Sequence, residues 1–117
     1  MNDYPVTIEE IVSWLRFMES TRGGSDVTLA EVRERHTHVP AVAADFDSSR
    51  AIGRISAWVT GAIDFQVLRK ENGEDVLFRH AQVSKMDGPD LEAAYADFLC
   101  LMLNPDSSVP VATGEKL

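Results

Sequence analysis

Cysteine is nearly absent: the 117 residues hold a single one, Cys100. One thiol excludes an intrachain disulfide framework and fits a reducing compartment. Cations are scarce too, with eleven Lys and Arg against nineteen Asp and Glu and a formal charge of −8. Phosphate contacts and anionic membrane surfaces both demand clustered Lys and Arg, so neither nucleic acid nor membrane is an expected partner. The longest apolar run, Phe98-Leu99-Cys100-Leu101-Met102-Leu103, is far short of the roughly 18 residues of a membrane span. The start, Met1-Asn2-Asp3-Tyr4-Pro5, lacks a basic stretch leading into an apolar one, so no signal peptide is expected and the reading is cytoplasmic.

Catalytic patterns are missing as well. There is no glycine-rich phosphate loop, no C-x-x-C, no H-E-x-x-H and no G-x-S-x-G. No enzyme activity, catalytic residue, cofactor or metal is therefore expected. His36 and His38 are two apart and share a face if extended, but zinc needs three or four convergent donors and solvated histidines explain them better. Cys100 sits in Phe98-Leu99-Cys100-Leu101, an apolar setting instead of the electropositive one a reactive thiolate needs. Asp45 and Asp47 flank Phe46 on one strand face; beside Ser48-Ser49 they read as solvated acids near a turn.

What is present is an ordinary globular composition, 44% hydrophobic and 26% charged. The length suits one domain over residues 1–104, followed by a Ser-, Pro- and Gly-bearing tail over 105–117. Thr7-Ile8-Glu9-Glu10 is a capping box with Val6 and Ile11 placed for a hydrophobic staple. Ile8, Ile11, Val12, Leu15 and Met18 follow at helical spacing, with Trp14 and Phe17 widening the stripe. A helix is predicted from Ile8 to Arg22, stopped by Gly23-Gly24. Residues 25–38 carry a second capping-box imitation, Thr28-Leu29-Ala30-Glu31, yet the Val27, Leu29 alternation favours a strand.

The middle has the strongest strand signal. Val42 to Asp47 alternates, and Ile52 to Val59, Ile63 to Arg69 and Asp75 to Val83 are β-branched and aromatic. Asn72-Gly73 signals a two-residue type I′ hairpin. That register sets Val67 opposite Phe78 and Phe65 opposite His80. Ile63, Phe65, Val67, Val76 and Phe78 then face inward, His80 is a core histidine, and Asp64, Gln66, Leu77 and Arg79 face outward. The preceding hairpin has two options. A Thr60-Gly61 loop turns Trp58 inward; a Val59-Thr60-Gly61 loop with Gly61 left-handed turns Ile55 and Ala57 inward and Arg54, Ser56 and Trp58 outward. The second keeps Arg54 and Ser56 out of the core and is favoured, because a one-residue slip exchanges the faces. Asp87-Gly88-Pro89-Asp90 opens a last helix with the stripe Leu91, Ala94, Tyr95, Phe98, Leu101 and Met102, closed by Asn104-Pro105. The expected fold is α+β: an antiparallel meander of four to five strands with both terminal helices packed on one face. Trp58 and Arg54, lining one outward strand face, have the composition of a binding anchor, since Trp and Arg dominate interface hot spots.

Asp45-Phe46-Asp47-Ser48, Ile52-Gly53-Arg54-Ile55, Trp58, Gly61, Asp64-Phe65 and Val67-Leu68 together resemble the TriTu family of bacterial immunity proteins. The resemblance spans about Val42 to Leu103; the first helix agrees in type and position. It departs after Trp58, where an acidic residue is expected, and in Arg79-His80-Ala81, which keeps one of two usual histidines, departures that fit a different cognate toxin. The resemblance implies a cytosolic antitoxin that neutralises a secreted interbacterial effector, of Rhs or type VI delivery, by occluding its active-site cleft. In the namesake pair the toxin is an ADP-ribosyltransferase. The partner would be the cognate toxin domain, met by a monomer or weak homodimer through Asp45, Asp47, Arg54, Ser56, Trp58, Asp64 and Gln66. A second reading from composition is an acidic secretion chaperone, which requires a long apolar groove and firm dimerisation. A third, a small-ligand module, would need a deep pocket lined by His36, His38 and His80.

Overall fold

In the computed structural model, which describes residues 4–22 and 26–106, the first helix runs over the predicted range, α1 at Ile8–Arg22. Its capping box closes as read: the Thr7 N–H donates to Glu10 Oε1 at 2.9 Å and the Glu10 N–H to Thr7 Oγ1 at 3.1 Å. Two orphan amides of the helix start are satisfied in this way. The Gly23-Gly24 stop lies outside the described residues. Five strands follow: β1 Thr28–Arg35, β2 Ala41–Asp47, β3 Ala51–Trp58, β4 Ala62–Arg69 and β5 Asp75–Gln82. The last helix, α2, is Pro89–Leu103. The ambiguous segment is thus a strand, and the fold is α+β.

The sheet is an antiparallel meander in chain order, β1-β2-β3-β4-β5. Both helices cover one face, α1 over β1 and β2, α2 over β3, β4 and β5. Between them lies the core, in which Phe46, Phe65, Tyr95 and Phe98 are fully buried. Their rings meet mostly edge to face: Trp14 with Tyr95 at 5.6 Å and Phe46 with Phe98 at 5.0 Å between centroids. Such pairs add about 0.5–1.5 kcal/mol each beyond their buried area. Gly53 lets α2 settle this close. A Cβ there would stand 2.5 Å from Met102 Sδ and 2.7 Å from Phe98 Cζ.

The β3–β4 hairpin takes the favoured option. Ile55 pairs with Phe65 and Ala57 with Ile63. Gly61 has φ +92°, and its N–H donates to the Trp58 carbonyl at 2.9 Å. Ile55, Ala57, Ile63 and Phe65 are buried, and Arg54, Ser56 and Trp58 fall on the other face.

The β4–β5 hairpin departs from expectation by one residue. Val67 pairs with Leu77 and Gln66 with Phe78, so Leu77 and Arg79 turn inward and Phe78 and His80 outward. The loop is longer than the Asn72-Gly73 signal implied. Arg69 N–H donates to the Glu74 carbonyl at 2.9 Å and Gly73 N–H to the Arg69 carbonyl at 2.8 Å, closing a four-residue loop. Gly73 has φ +72° and Asn72 does not share it; its Oδ1 accepts the Glu74 N–H at 2.9 Å. Val76 is then skipped in the register, a bulge between the Leu68–Asp75 and Val67–Leu77 pairs. Arg79 is accommodated inside because it reaches Asp97 on α2 at 2.9 Å.

Two smaller corrections concern the helices. Phe17 does not widen the core stripe; it is 59% exposed. Cys100 is on the exposed side of α2, not in its apolar face. Beyond α2, Pro105 is buried and Asp106 meets Arg50 and Arg69, while residues 107–117 of the expected tail lie outside the described residues.

Candidate functional site

Among the described residues, one face of the sheet has no helix over it. Strand alternation places there, in four rows across the strands, Arg35-Ala41-Trp58-Ala62-Gln82, Arg33-Ala43-Ser56-Asp64-His80, Glu31-Asp45-Arg54-Gln66-Phe78 and Thr28-Asp47-Ile52-Leu68-Asp75. Asp45, Asp47, Arg54, Ser56, Trp58, Asp64 and Gln66, the residues singled out from the sequence, therefore all share this open face. Cross-strand neighbours lie close enough for their side chains to meet, which makes the face one continuous surface.

Its charges are organised as pairs. Asp45 is a hub, with Arg33 Nη1 at 2.9 Å from one carboxylate oxygen and Arg54 Nε at 2.7 Å from the other. The hydrogen bond to Asp45 raises the Arg54 guanidinium above its already high ordinary value, so it stays charged at any working pH. Asp47 meets Lys70 at 3.0 Å. Asp64 Oδ1 lies 2.6 Å from His80 Nδ1, and Gln66 Nε2 donates to Asp75 Oδ1 at 3.0 Å. Exposed pairs of this kind add little stability, about 0–1 kcal/mol each. Their effect is to hold long side chains in one arrangement before any partner arrives.

Apolar groups sit between the pairs. Phe78 is 64% exposed and Ile52 47%. A shallow depression of ≈ 580 Å³ opens beside Ile52, Leu68, Asp47 and Arg54. Trp58 is half-buried at the opposite end of β3. The most exposed aromatic of this face is thus Phe78, which the sequence reading had placed in the core together with His80. The only signal that could have exposed it is the parity of one hairpin, set by a bulge.

The Asp45-Phe46-Asp47-Ser48 run divides its work between two faces. Asp45 and Asp47 point to the open face, and Phe46 fills the core. Ser48 is buried, and its Oγ–H donates to the Met102 carbonyl at 2.7 Å while accepting the Ala51 N–H at 3.0 Å. One of the last carbonyls of α2, which has no partner within the helix, is satisfied by that bond. Beside it Asp106 joins Arg69 and Arg50, the latter at 2.6 Å, and hydrogen bonds from these two guanidiniums hold its carboxyl below the usual range. The strand end that displays the Asp45 hub is in this way pinned to the end of α2.

His36 and His38 are exposed beyond β1, with His36 paired to Glu34 at 3.1 Å, and His80 is on the open face. The three do not converge. Among the described residues no group of three or more His, Cys, Asp or Glu is placed to hold a metal. Among them, too, no helix is long and apolar enough to cross a membrane.

A family model described as immunity protein TriTu matches residues 9–100, from the first turn of α1 into the last turn of α2. The match takes in α1, which the motif resemblance alone did not reach. No curated protein matches the chain.

Proposed function

The chain belongs to the TriTu family of immunity proteins, and from that premise we propose that it neutralises its toxin by laying the open sheet face across the toxin's active-site cleft. Immunity proteins act by binding a toxin protein, so the question for this chain is which surface does so. The observation that carries the reading is the face that no described helix covers: paired charges, with Phe78 and Ile52 standing exposed among them. Apolar anchors ringed by polar groups that exclude water are the composition of an interface hot spot.

The target, on the strength of the family's namesake pair, is an ADP-ribosyltransferase effector delivered by an Rhs or type VI route and met in the cytoplasm. Inhibition is steric. The open-face acids are already engaged with Arg33, Arg54, Lys70 and His80, so covering the cleft, not imitating the phosphates of a dinucleotide, is the mode this face supports. The chaperone reading calls for a long apolar groove; this face instead interleaves single apolar side chains with ion pairs.

The test is affinity for the purified cognate toxin domain together with growth rescue on co-expression. Phe78→Glu and Trp58→Ala are each expected to weaken binding by more than about 2 kcal/mol with the thermal midpoint nearly unchanged. Undiminished affinity in both variants would contradict the assignment of this face.

A further inference from the structure

The opposite, helical side of the molecule carries a second surface. Along α1, Glu10, Ser13 and Phe17 lie at spacings of three and four and form a stripe around Trp14, whose ring belongs to the core. With Met86 of the β5–α2 connection, this stripe lines a groove of ≈ 640 Å³. Trp14 is the buried floor and Phe17 is 59% exposed at its edge. The rim is acidic: Glu9, Glu10 and Asp87, with Lys85 the one cation among the described lining residues.

Charge is distributed unequally between the two sides. On the open face each of Asp45, Asp47 and Asp64 has a cationic or histidine partner. The helical side has Glu9, Glu10, Glu19, Asp87, Asp90 and Asp97 against Arg16, Arg79 and Lys85 among the described side chains, Asp97 and Arg79 being paired. Part of this acidity serves the helix dipoles, since Glu9, Glu10 and Asp90 stand in first turns. The dipole accounts for Asp87 as well, just ahead of α2, but gives no reason for a phenylalanine exposed next to these acids.

We infer that this groove is a second docking surface, separate from the open face, for a basic protein segment: an amphipathic stretch with a large apolar side chain seated against Phe17 and Trp14 and flanking Lys or Arg over the acidic rim. The apolar floor fixes position and the rim selects the sign of the partner, so an acidic segment of the same shape is rejected. Because the two surfaces lie on opposite sides of the sheet, a segment here can be held while the open face is occupied.

The experiment uses the full chain carrying Trp58→Phe, in which Trp14 becomes the only indole. The probe is a synthetic amphipathic peptide with leucine and lysine at helical spacing; the control replaces every lysine by glutamate. A saturable change in Trp14 emission with the lysine peptide alone is expected. Phe17→Ala and the pair Glu9→Lys with Asp87→Lys are each expected to weaken it about tenfold, or 1.4 kcal/mol. Phe78→Glu, on the open face, should leave the titration unchanged, which separates this inference from the toxin-binding assignment. Equal response to both peptides, no response, or indifference to Phe17→Ala would overturn it.

Discussion

Tyr95 brings a hydroxyl into the aromatic centre of the core, where it has no hydrogen-bond partner among the described residues. Burial, with the charge of Glu19 second, pushes its phenol up to about 12. In the unfolded chain the same group ionises near about 10. The folded state therefore resists losing this proton. The contribution is fully present below about pH 10 and is lost as pH rises towards about 12, a swing of about 2–3 kcal/mol. Denaturant midpoints measured across that range are expected to fall steeply for the native chain and more gently for Tyr95→Phe. At neutral pH the same variant should be as stable as the parent or more so by about 1 kcal/mol, since it removes a buried group that makes no bond. At this scale the candidate site was half legible. The outward placement of Trp58 and Arg54 was legible, because their parity follows from one glycine, Gly61. Phe78 and His80 were hidden, because nothing in their own chemistry tells an exposed aromatic from a core one.

Elements were easier to read than pairings. The capping box and stripe of α1 and the proline start of α2 gave both ranges, because caps and 3.6-residue periodicity are local signals. Register is not local. In β5 a four-residue loop and the bulge at Val76 move Phe78 to the open face without changing the strand's composition or length. The compensation that admits Arg79 to the inner face is Asp97, eighteen residues on and in another element. The packing of α2 on β3 depends on Gly53, whose missing side chain leaves room for Phe98 and Met102. Gly53→Ala should cost about 1–3 kcal/mol by overpacking, read as a lower thermal midpoint, and should widen the gap between helix and sheet enough to disturb the neighbouring Arg54–Asp45 pair. An unshifted midpoint would mean that α2 is not held where it lies.

The whole molecule is two-sided. A five-stranded sheet divides an ion-paired, partly apolar face from an acidic helical one, and the family to which the chain belongs makes toxin binding the purpose of at least one of them. The net charge of −8 does not say where a partner binds; the register of the strands decides which side chains the open face displays. The central claim is that the open face covers the toxin. Methyl cross-saturation from the unlabelled cognate toxin onto the isotope-labelled chain tests it directly. Signal loss is expected at the methyls of Ile52 and Leu68, with those of Leu103, exposed on α2, unaffected. Loss confined to the α2 methyls, with Ile52 and Leu68 untouched, would contradict it.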